Sequence, residues 1–561
     1  MMSRFPSRTS TQTYVRRFWP GAAGVALLLM GTLLKDSVGL DVATAWMLSS
    51  LLVVGWTTFC GPAQEVSLGH ALFFGGAGYV AALLQTRAGI GPIPSLIGAA
   101  AVTAAAGAAL ALLTARHRGL YFSMVTMAVQ IAIYRVLFLR GDLFGGEEGL
   151  TGIRVAVESR IGLFVAAGAL LIASGMAAAA FLRSNTGLLL GAVGQHETLA
   201  SSLGVRLAGL RAAGLAVSAA SAGMGGAVWA LTQGYINPEL ASEELSARAA
   251  LLGCIGGLWS VPGALVASLG WEAFRFGLSR VSTLSGPISA ALLLGLVARP
   301  SRNAAQSRPT WDDLPIRSST PRRADDADGG SGLTVRGLSV RFGGLHPLRD
   351  VTFSLNRGRA TGLIGPNGAG KSTLLNAVAG LVPSTGAIEW DGQSLVRFDT
   401  AERARRGVRK TFQHPARFPD LSAWEHLQVA MAAASSIPLQ GAALRTLLEM
   451  CEPTRGRPAG DMDAGTLRMM EMAMTLVAPP RMLLLDEPFA GLSARQADAV
   501  SDAITELKAA GVTLLIVEHR LVDMLRSIDD LVVLADGHVV RSGPAASVLA
   551  DPDVRSVYLG G

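Results

Sequence analysis

Long apolar stretches with almost no charge fill the first 300 residues and constrain the fold more than any other feature. A helix needs about 20 mainly apolar residues to cross the hydrocarbon of a bilayer. Nine stretches reach or approach that length, at 18–34, 43–60, 67–86, 92–114, 120–139, 161–182, 207–232, 246–272 and 282–298. Abundant Gly and Ala suit close helix packing in lipid. The sequence therefore predicts a polytopic all-α membrane domain over residues 1–300.

The charges between the stretches predict which loops face the cytoplasm. Four arginines and no acid precede the first stretch, and Arg116, His117 and Arg118 follow the fourth. Basic loops stay inside, so six crossings return the chain to the cytoplasm at Arg183 and make 183–206 a cytoplasmic loop. No small-residue cleavage site is clear after the first stretch, which predicts a retained span.

The stretch 246–272 is too long for one ordinary span. It contains Gly256, Gly257, Pro262 and Gly263. An even number of crossings is needed to leave the C-terminal region inside, which favours two short or re-entrant passes and a candidate part of a translocation pathway. The alternative is a Pro kink in a packed helix.

Composition excludes several other functions. The net charge is +7, but the arginines lie mostly in loops and in the second half, so nucleic-acid binding is not expected. Cys60, Cys254 and Cys451 lack paired spacing, which predicts no disulfide framework and no cysteine metal site. Residues 301–332, rich in Ser, Arg, Asp, Pro and Gly, predict a flexible linker to a globular domain at 333–561.

A glycine-rich motif opens the chemistry of that second domain. Gly365 to Thr373 reads GPNGAGKST, follows a strand-like run (360–364) and precedes a helix-like one, as a P-loop requires. Its backbone N–H groups can close around phosphates, Lys371 can reach the β and γ phosphates, and Ser372 can ligate Mg²⁺. The predicted cofactors are ATP and Mg²⁺, bound by Gly365, Asn367, Gly368, Gly370, Lys371, Ser372 and Thr373. The alternative is a glycine-rich turn without a ligand.

Two further strands end in residues suited to hydrolysis. The run 482–485 ends in Asp486 and Glu487, where the first carboxylate can hold Mg²⁺ and the second can polarise the attacking water. The run 512–517 ends in Glu518 and His519, whose imidazole could contact the γ-phosphate, although a lone His is more often structural. The pattern predicts an ATP hydrolase with the α/β P-loop NTPase fold.

On these motifs, residues 333–561 resemble the ATP-binding subunits of the branched-chain amino acid (Liv-type) importers of the ABC family. The resemblance implies that Phe342 stacks on adenine and that Gln413, in Thr411-Phe412-Gln413, is the Q-loop glutamine, with catalytic and Mg²⁺ roles. It also implies that Asp486, Glu487 and His519 are the Walker B aspartate, the catalytic glutamate and the switch histidine.

The signature motif departs from that family. Met462-Asp463-Ala464-Gly465-Thr466 stands where the family has Leu-Ser-Gly-Gly-Gln, so only Gly465 survives. The family serine donates a hydrogen bond to the γ-phosphate of ATP on the opposing ATPase, whereas an ionised Asp463 only accepts. At about 4 Å the repulsion costs about 1 to 4 kcal/mol per unit charge. The sequence predicts a degenerate half-site, and hence a pair with a second ATPase whose signature is intact.

Residues 43–300 resemble the Liv-type permease subunits. Matching stretches lie at 67–75, 118–122, 149–152, 187–204, 234–239 and 256–259, in the same order and with similar spacing. The resemblance implies that 187–204, including Gly187, Gln195 and Glu197, forms the coupling loop that docks near the Q-loop of an ATPase. The alternative is an ordinary solvated loop.

The sequence as a whole predicts a permease fused to an ATPase in the cell (inner or plasma) membrane, with the ATPase in the cytoplasm. We expect import of a branched-chain or other hydrophobic amino acid, or a related amide or urea. The expected partners are a second permease, a second ATPase and an extracytoplasmic solute-binding protein. Two alternatives stay open: a homodimeric exporter half-transporter, and a membrane regulatory protein that binds ATP without productive turnover.

Overall fold

The computed structural model describes residues 37–154, 159–258, 260–279, 332–434, 441–518, 524–525, 527–552 and 554. The predicted stretches 18–34 and 282–298, the linker residues 301–331, and His519 lie outside the described residues. The described chain forms two compact units. The first runs to Gly194 and resumes at Leu207, and the second combines Gln195–Arg206 with the chain from Gly332 onward.

The first unit is built from helices. Helices α1 to α7 are α1 Ser37–Ala63, α2 Ala71–Thr86, α3 Pro92–Leu113, α4 Leu120–Leu139, α5 Gly141–Phe144, α6 Arg160–Arg183 and α7 Asn185–Gln195. The last residue of α7, and the whole of α8 (Glu197–Ser202), belong to the second unit. The first unit then continues with α9 Leu207–Gln233, α10 Glu243–Gly256 and α11 Val261–Ser279. Within the described residues, five helices are long and apolar enough to cross a membrane, namely α1, α3, α4, α6 and α9. The predicted stretch 67–86 is helical only from Ala71, leaving 16 residues.

Helix α9 packs closely against its neighbours because glycines remove side chains at the contacts. A Cβ added to Gly226 would lie 1.8 Å from the carbonyl oxygen of Phe74 on α2. Close backbone approach of this kind is how membrane helices associate where lipid offers no hydrophobic driving force.

Polar contacts at the two ends of the helices agree with the predicted sides of the membrane. On the side predicted to be cytoplasmic, Glu65 pairs with the buried Arg211 and lies 3.5 Å from Arg118. On the opposite side, the short strands β1 (Leu150–Thr151) and β2 (Tyr235–Ile236) pair antiparallel. Glu65 therefore joins the loop at Arg118, which was predicted to be cytoplasmic, to the first turns of α9.

The stretch 246–272 is interrupted, as predicted. Helix α10 ends at Gly256, Gly257 has a positive φ of +95°, and α11 begins at Val261. A Cβ on Gly263 would lie 1.8 Å from the carbonyl oxygen of Gly256, so the two helices touch through glycine backbone. The described residues between the two helices, 257, 258 and 260, are not helical, which is a break and not a Pro kink.

The second unit contains two sheets. Their strands are β3 Leu333–Phe342, β4 Leu345–Leu355, β5 Ala360–Ile364, β6 Thr385–Trp390, β7 Gln393–Ser394, β8 Val408–Lys410, β9 Met482–Asp486, β10 Thr513–Val517, β11 Asp530–Ala535 and β12 His538–Pro544. Six strands in the order β12-β11-β5-β10-β9-β8 form a sheet that is parallel except for β12, and an antiparallel sheet has the order β4-β3-β6-β7. Strands β5, β9 and β10 are wholly buried, as their apolar runs require.

Helices of the second unit flank these sheets. They are α12 Lys371–Ala379, α13 Thr400–Arg405, α14 Ala423–Ala433, α15 Ala442–Cys451, α16 Ala464–Val477, α17 Ala494–Ala509 and α18 Ala545–Ala550. Val517 aligns with both Leu363 and Asp486 across the parallel ladder. The carboxyl ends of β5, β9 and β10 therefore meet at one edge of the sheet, where α/β proteins bind ligands.

Candidate nucleotide site

The P-loop connects β5 to α12 in the conformation that its glycines permit. Gly368 and Gly370 have φ values of +83° and +100°, which L side chains rarely adopt. Gly370 precedes the first residue of α12, so the helix N-terminus faces the loop. Lys371 Nζ donates to the carbonyl oxygens of Gly365 and Pro366 at 2.8 and 3.0 Å. Asn367 is exposed at the loop tip, and Thr373 lies in the first turn of α12.

The charge of Lys371 is held in a mixed environment. Burial lowers the pKa of its ammonium group, while Glu487 and Asp486 act in the opposite direction. These carboxylates favour the charged form, which is the form that can bind phosphate oxygens.

Ser372 and Asp486 bring two side-chain oxygen atoms close together. Ser372 Oγ donates to Asp486 Oδ1 at 3.3 Å. A hydroxyl and a carboxylate at this spacing form the hard oxygen set that Mg²⁺ prefers together with nucleotide phosphates. Mg²⁺ at this point would neutralise charge that develops on the transferred phosphoryl group.

Glu487 and Gln413 are brought together although 74 residues separate them. Gln413 Nε2 donates to Glu487 Oε1 at 2.9 Å. Glu487 has a φ of +51°, an uncommon conformation for a residue with a side chain, and its N–H donates to Val517 O. Strained backbone of this kind is often found at catalytic positions.

Phe342, predicted to stack on adenine, ends strand β3 and is 45% exposed. An aromatic ring that remains exposed next to a folded core offers a flat face for a planar ligand. His519, predicted as the switch histidine, belongs to the part of the chain that is not described, so its prediction stands as made.

Asp463 has a local structural role that the sequence did not reveal. It caps α16, accepting from Thr466 N at 3.0 Å and from Thr466 Oγ1 at 2.6 Å. These hydrogen bonds lower the pKa of the carboxyl group, so Asp463 is ionised at neutral pH. A Cβ on Gly465 would lie 2.5 Å from Gln496 Nε2, which explains a glycine there.

Lys410 was missed by the sequence interpretation. It ends β8 and forms a buried ion pair with Asp486, with Nζ 3.0 Å from Oδ2. The other carboxylate oxygen faces Ser372. The sequence offered one signal for this residue, a lysine directly before the Thr411-Phe412-Gln413 motif.

A second buried pair, Arg468 and Glu471 on α16, was also missed. Arg468 donates to the carbonyl oxygens of Phe412 and Gln413 at 2.8 and 2.7 Å, and Glu471 accepts from Phe412 N at 3.0 Å. The two side chains are 2.7 Å apart. They fix the backbone that carries Gln413 to the helix that follows Asp463.

The predicted coupling loop is divided by the structure. Gly187 lies in the first unit, where a Cβ would be 2.4 Å from Phe181 O. Gln195 and Glu197 belong to the second unit: Gln195 Oε1 accepts from Asp420 N at 2.7 Å, and Glu197 is exposed in the first turn of α8.

Two arginines hold the end of the segment 195–206. Arg405 donates to Gly204 O at 3.1 Å, and Arg409 donates to Leu203 O at 3.3 Å. His196 lies with its ring 6.5 Å from Phe412. The segment therefore packs on the domain that contains the P-loop.

A parallel sheet with a P-loop, an adjacent aspartate and a glutamate–glutamine pair, in a chain with membrane-spanning helices, defines a transport ATPase joined to a membrane domain. Residues 39–315 match the family described as the permease component of the branched-chain amino acid transport system, and residues 348–490 match the ABC transporter family. The chain belongs to the ABC transporter family, as a fusion of a permease of that type with an ABC ATPase.

Relatives of the ATPase region support this assignment. The chain is 31% identical to a probable branched-chain amino acid transport ATP-binding protein LivG of Methanocaldococcus jannaschii, over 41% of this chain and 97% of the relative. It is 32% identical to the high-affinity branched-chain amino acid transport ATP-binding protein BraF of Pseudomonas aeruginosa, with the same coverage. The lipopolysaccharide export system ATP-binding protein LptB of Escherichia coli K12 is 31% identical, again over 41% and 97%.

The protein is thus a multi-pass membrane protein whose ABC domain hydrolyses ATP to drive transport. Its fold class, a polytopic helical domain followed by an α/β P-loop NTPase, is the predicted one. The names of these relatives cover branched-chain amino acid transport as well as lipopolysaccharide export, so the direction of transport rests on other arguments.

Proposed function

We propose that this chain is the fused permease and ATPase of an importer for a branched-chain or other hydrophobic amino acid, or a related amide or urea. The observation that carries the proposal is the permease match over residues 39–315, because the permease and not the ATPase contacts the solute. A second permease and an extracytoplasmic solute-binding protein would complete the assembly.

In the proposed cycle, Lys371 binds the β and γ phosphates, and Ser372, Asp486 and Gln413 hold Mg²⁺. Glu487 orients and polarises the attacking water, and its hydrogen bond to Gln413 supports this role because it joins two of the predicted catalytic residues. His519 would contact the γ-phosphate. Positioning and electrostatic stabilisation supply most of the rate in such phosphoryl transfers.

The degenerate signature supports a heteromeric ATPase pair. Each ATP in an ABC dimer lies between the Walker A of one ATPase and the signature of the other. The ionised Asp463 would place a negative charge in the partner's site, while Lys371 and Glu487 of this chain would face the partner's intact signature. One site then turns over ATP and the other is degenerate.

Asp463→Ser tests this pairing without disturbing the fold. Ser and Asp are comparable N-caps, so α16 keeps its start, whereas Asp463→Ala should cost about 1 kcal/mol through loss of the cap. We expect the purified chain alone to hydrolyse ATP slowly and Asp463→Ser to raise the rate. Robust hydrolysis by the chain alone, unchanged in Asp463→Ser, would contradict the heteromeric pair.

Import itself is tested by solute uptake. The chain is purified with its copurifying proteins, the ligand of any solute-binding protein is identified by mass spectrometry, and uptake of that ligand is measured in proteoliposomes. We expect ATP-dependent accumulation that Lys371→Ala abolishes. ATP-driven movement in the opposite direction would favour the exporter half-transporter, and ATP binding without turnover after a partner is supplied would favour the regulatory protein.

A further inference from the structure

A cavity of about 330 Å³ in the second unit collects four arginines. It lies between the β6–β7 turn, the end of α13 and the turn that precedes β9. Its walls include Trp390, Arg405, Arg406, Arg409 and Arg481. The nucleotide site, the signature helix cap and the proposed Mg²⁺ ligands share none of these residues.

The positive charges of this cavity exceed the negative charges beside it. Glu402 pairs with Arg405 and lies 3.5 Å from Arg406, and Asp391 lies 3.8 Å from Arg481. Among the described residues, only two carboxylates lie within ion-pair distance of the four guanidinium groups. Both of them pair with Arg405, Arg406 or Arg481, and neither pairs with Arg409.

Arg409 is the arginine of this cavity that has no counter-ion among the described residues. It is 6% exposed, and its Nη atoms donate to the carbonyl oxygens of Ala478 and Leu203. In the described part of the chain no carboxylate lies within ion-pair distance of it, and its Nε has no hydrogen-bond partner. Burial lowers the pKa of its guanidinium to about 10. A buried charge without a counter-ion is energetically costly, and this cost is offset when an anion binds.

The remaining wall suits the same kind of ligand. The buried indole N–H of Trp390 also lacks a partner among the described residues and can donate a further hydrogen bond. Planar guanidinium groups match phosphate oxygens in bidentate geometry and are favoured wherever phosphate is recognised.

We propose that the Arg405–Arg406–Arg409–Arg481 cavity binds an oxyanion of the phosphate class, either a soluble phosphate compound or the headgroup of an anionic phospholipid. Arg405 and Arg409 also hold the carbonyl oxygens of Gly204 and Leu203, so a bound oxyanion shares the groups that fix the segment 195–206. The site does not depend on the direction of transport.

The test is a calorimetric titration, in which inorganic phosphate is added to the full chain in detergent and the heat of binding is measured. All variants carry Lys371→Ala so that the P-loop does not contribute phosphate binding. Arg406 and Arg481 are 36% and 58% exposed, so replacing them with Gln should leave the fold intact. The matched control is Arg445→Gln, an exposed arginine on α15 that removes the same charge elsewhere.

We expect the Arg406→Gln/Arg481→Gln variant to weaken phosphate binding at least about tenfold, each single change to weaken it less, and Arg445→Gln to have no effect. An unchanged affinity in the double variant, or no phosphate binding by the Lys371→Ala chain, would overturn the proposal. Nanodiscs then distinguish the sources. The apparent Kd for inorganic phosphate is compared between nanodiscs of phosphatidic acid and nanodiscs of phosphatidylcholine. A higher Kd in phosphatidic acid means that the lipid headgroup competes for the cavity, and an equal Kd identifies a soluble phosphate compound as the ligand.

Discussion

Lys410 shows how one side chain can control the Walker B aspartate. Its ion pair with Asp486 is almost fully buried, so the Lys410→Met variant leaves a carboxylate uncompensated. Breaking a buried pair in this way costs about 3 kcal/mol. We expect Lys410→Met to lower the thermal midpoint of the Mg²⁺-free protein, and Mg²⁺ with ADP to restore more stability than in the wild type, because the divalent cation replaces the lost charge.

The control for this prediction is Lys410→Arg, which keeps the positive charge and should behave like the wild type. Thermal unfolding is measured with and without Mg²⁺ and ADP. If Lys410→Met loses the same stability in both conditions, Lys410 packs the core and does not serve the Mg²⁺ site.

His426 makes the second unit sensitive to acid. Phe418 N donates to its Nε2, Nδ1 bonds Ser422 O, and burial lowers its pKa from about 6.5 to about 4. The unfolded chain binds the proton more readily than the folded chain does. The neutral, buried His426 therefore makes its full contribution to the free energy of unfolding above pH 6.5, and that contribution is lost as the pH falls toward 4. The full loss is about 3 kcal/mol. His426→Gln should show a smaller drop in thermal midpoint between pH 7.5 and pH 5 than the wild type; an equal drop would assign the acid sensitivity to other groups.

At the scale of elements, Arg468 and Glu471 fix α16 to the segment that follows β8 and carries Gln413. Both side chains are almost completely buried. Arg468→Met alone leaves Glu471 without its partner and should cost about 3 to 5 kcal/mol, whereas the Arg468→Met/Glu471→Met variant should cost less than Arg468→Met alone. Chemical unfolding of the four chains of this double-mutant cycle measures the coupling.

Stability and catalysis should separate in that double variant. Without hydrogen bonds to the carbonyl oxygens of Phe412 and Gln413, the glutamine is no longer held toward Glu487. We expect ATP binding to be retained and ATP turnover to fall. Turnover equal to that of the wild type would mean that the pair stabilises the fold alone.

The same elements show what sequence reasoning reached and what it missed. Spacing predicted β5, and β9 to within a residue, and glycines and a proline predicted an interruption within 246–272, because buried strands and such interruptions leave local signals. The cap formed by Asp463 was missed because the position was interpreted only as a departure from a family pattern. Buried pairs such as Lys410 with Asp486 join residues 76 positions apart, and no local pattern marks them.

At the scale of the whole molecule, the charges between the apolar stretches predicted a cytoplasmic loop at Arg118, and the structure pairs Glu65 with both Arg118 and Arg211. The family resemblance implied that 187–204 docks near the Q-loop of an ATPase, but it did not predict that the compact unit of the ATPase would include 195–206 and leave out Gly187. The segment is held by Gln195 at one end and by Arg405 and Arg409 at the other, through side-chain contacts to backbone that leave no local signal in the sequence.

The assembly should be catalytically asymmetric if Asp463 disables the partner's site. In a complex with a second ATPase, Glu487→Gln on this chain removes the water-polarising group of the competent site, and turnover should fall about a hundredfold or more. The equivalent Gln substitution in the partner should change the rate little, because that glutamate serves the site that faces Asp463. ATPase rates of the two singly substituted complexes give the comparison. Equal losses would mean that both sites turn over and that Asp463 is tolerated beside the γ-phosphate.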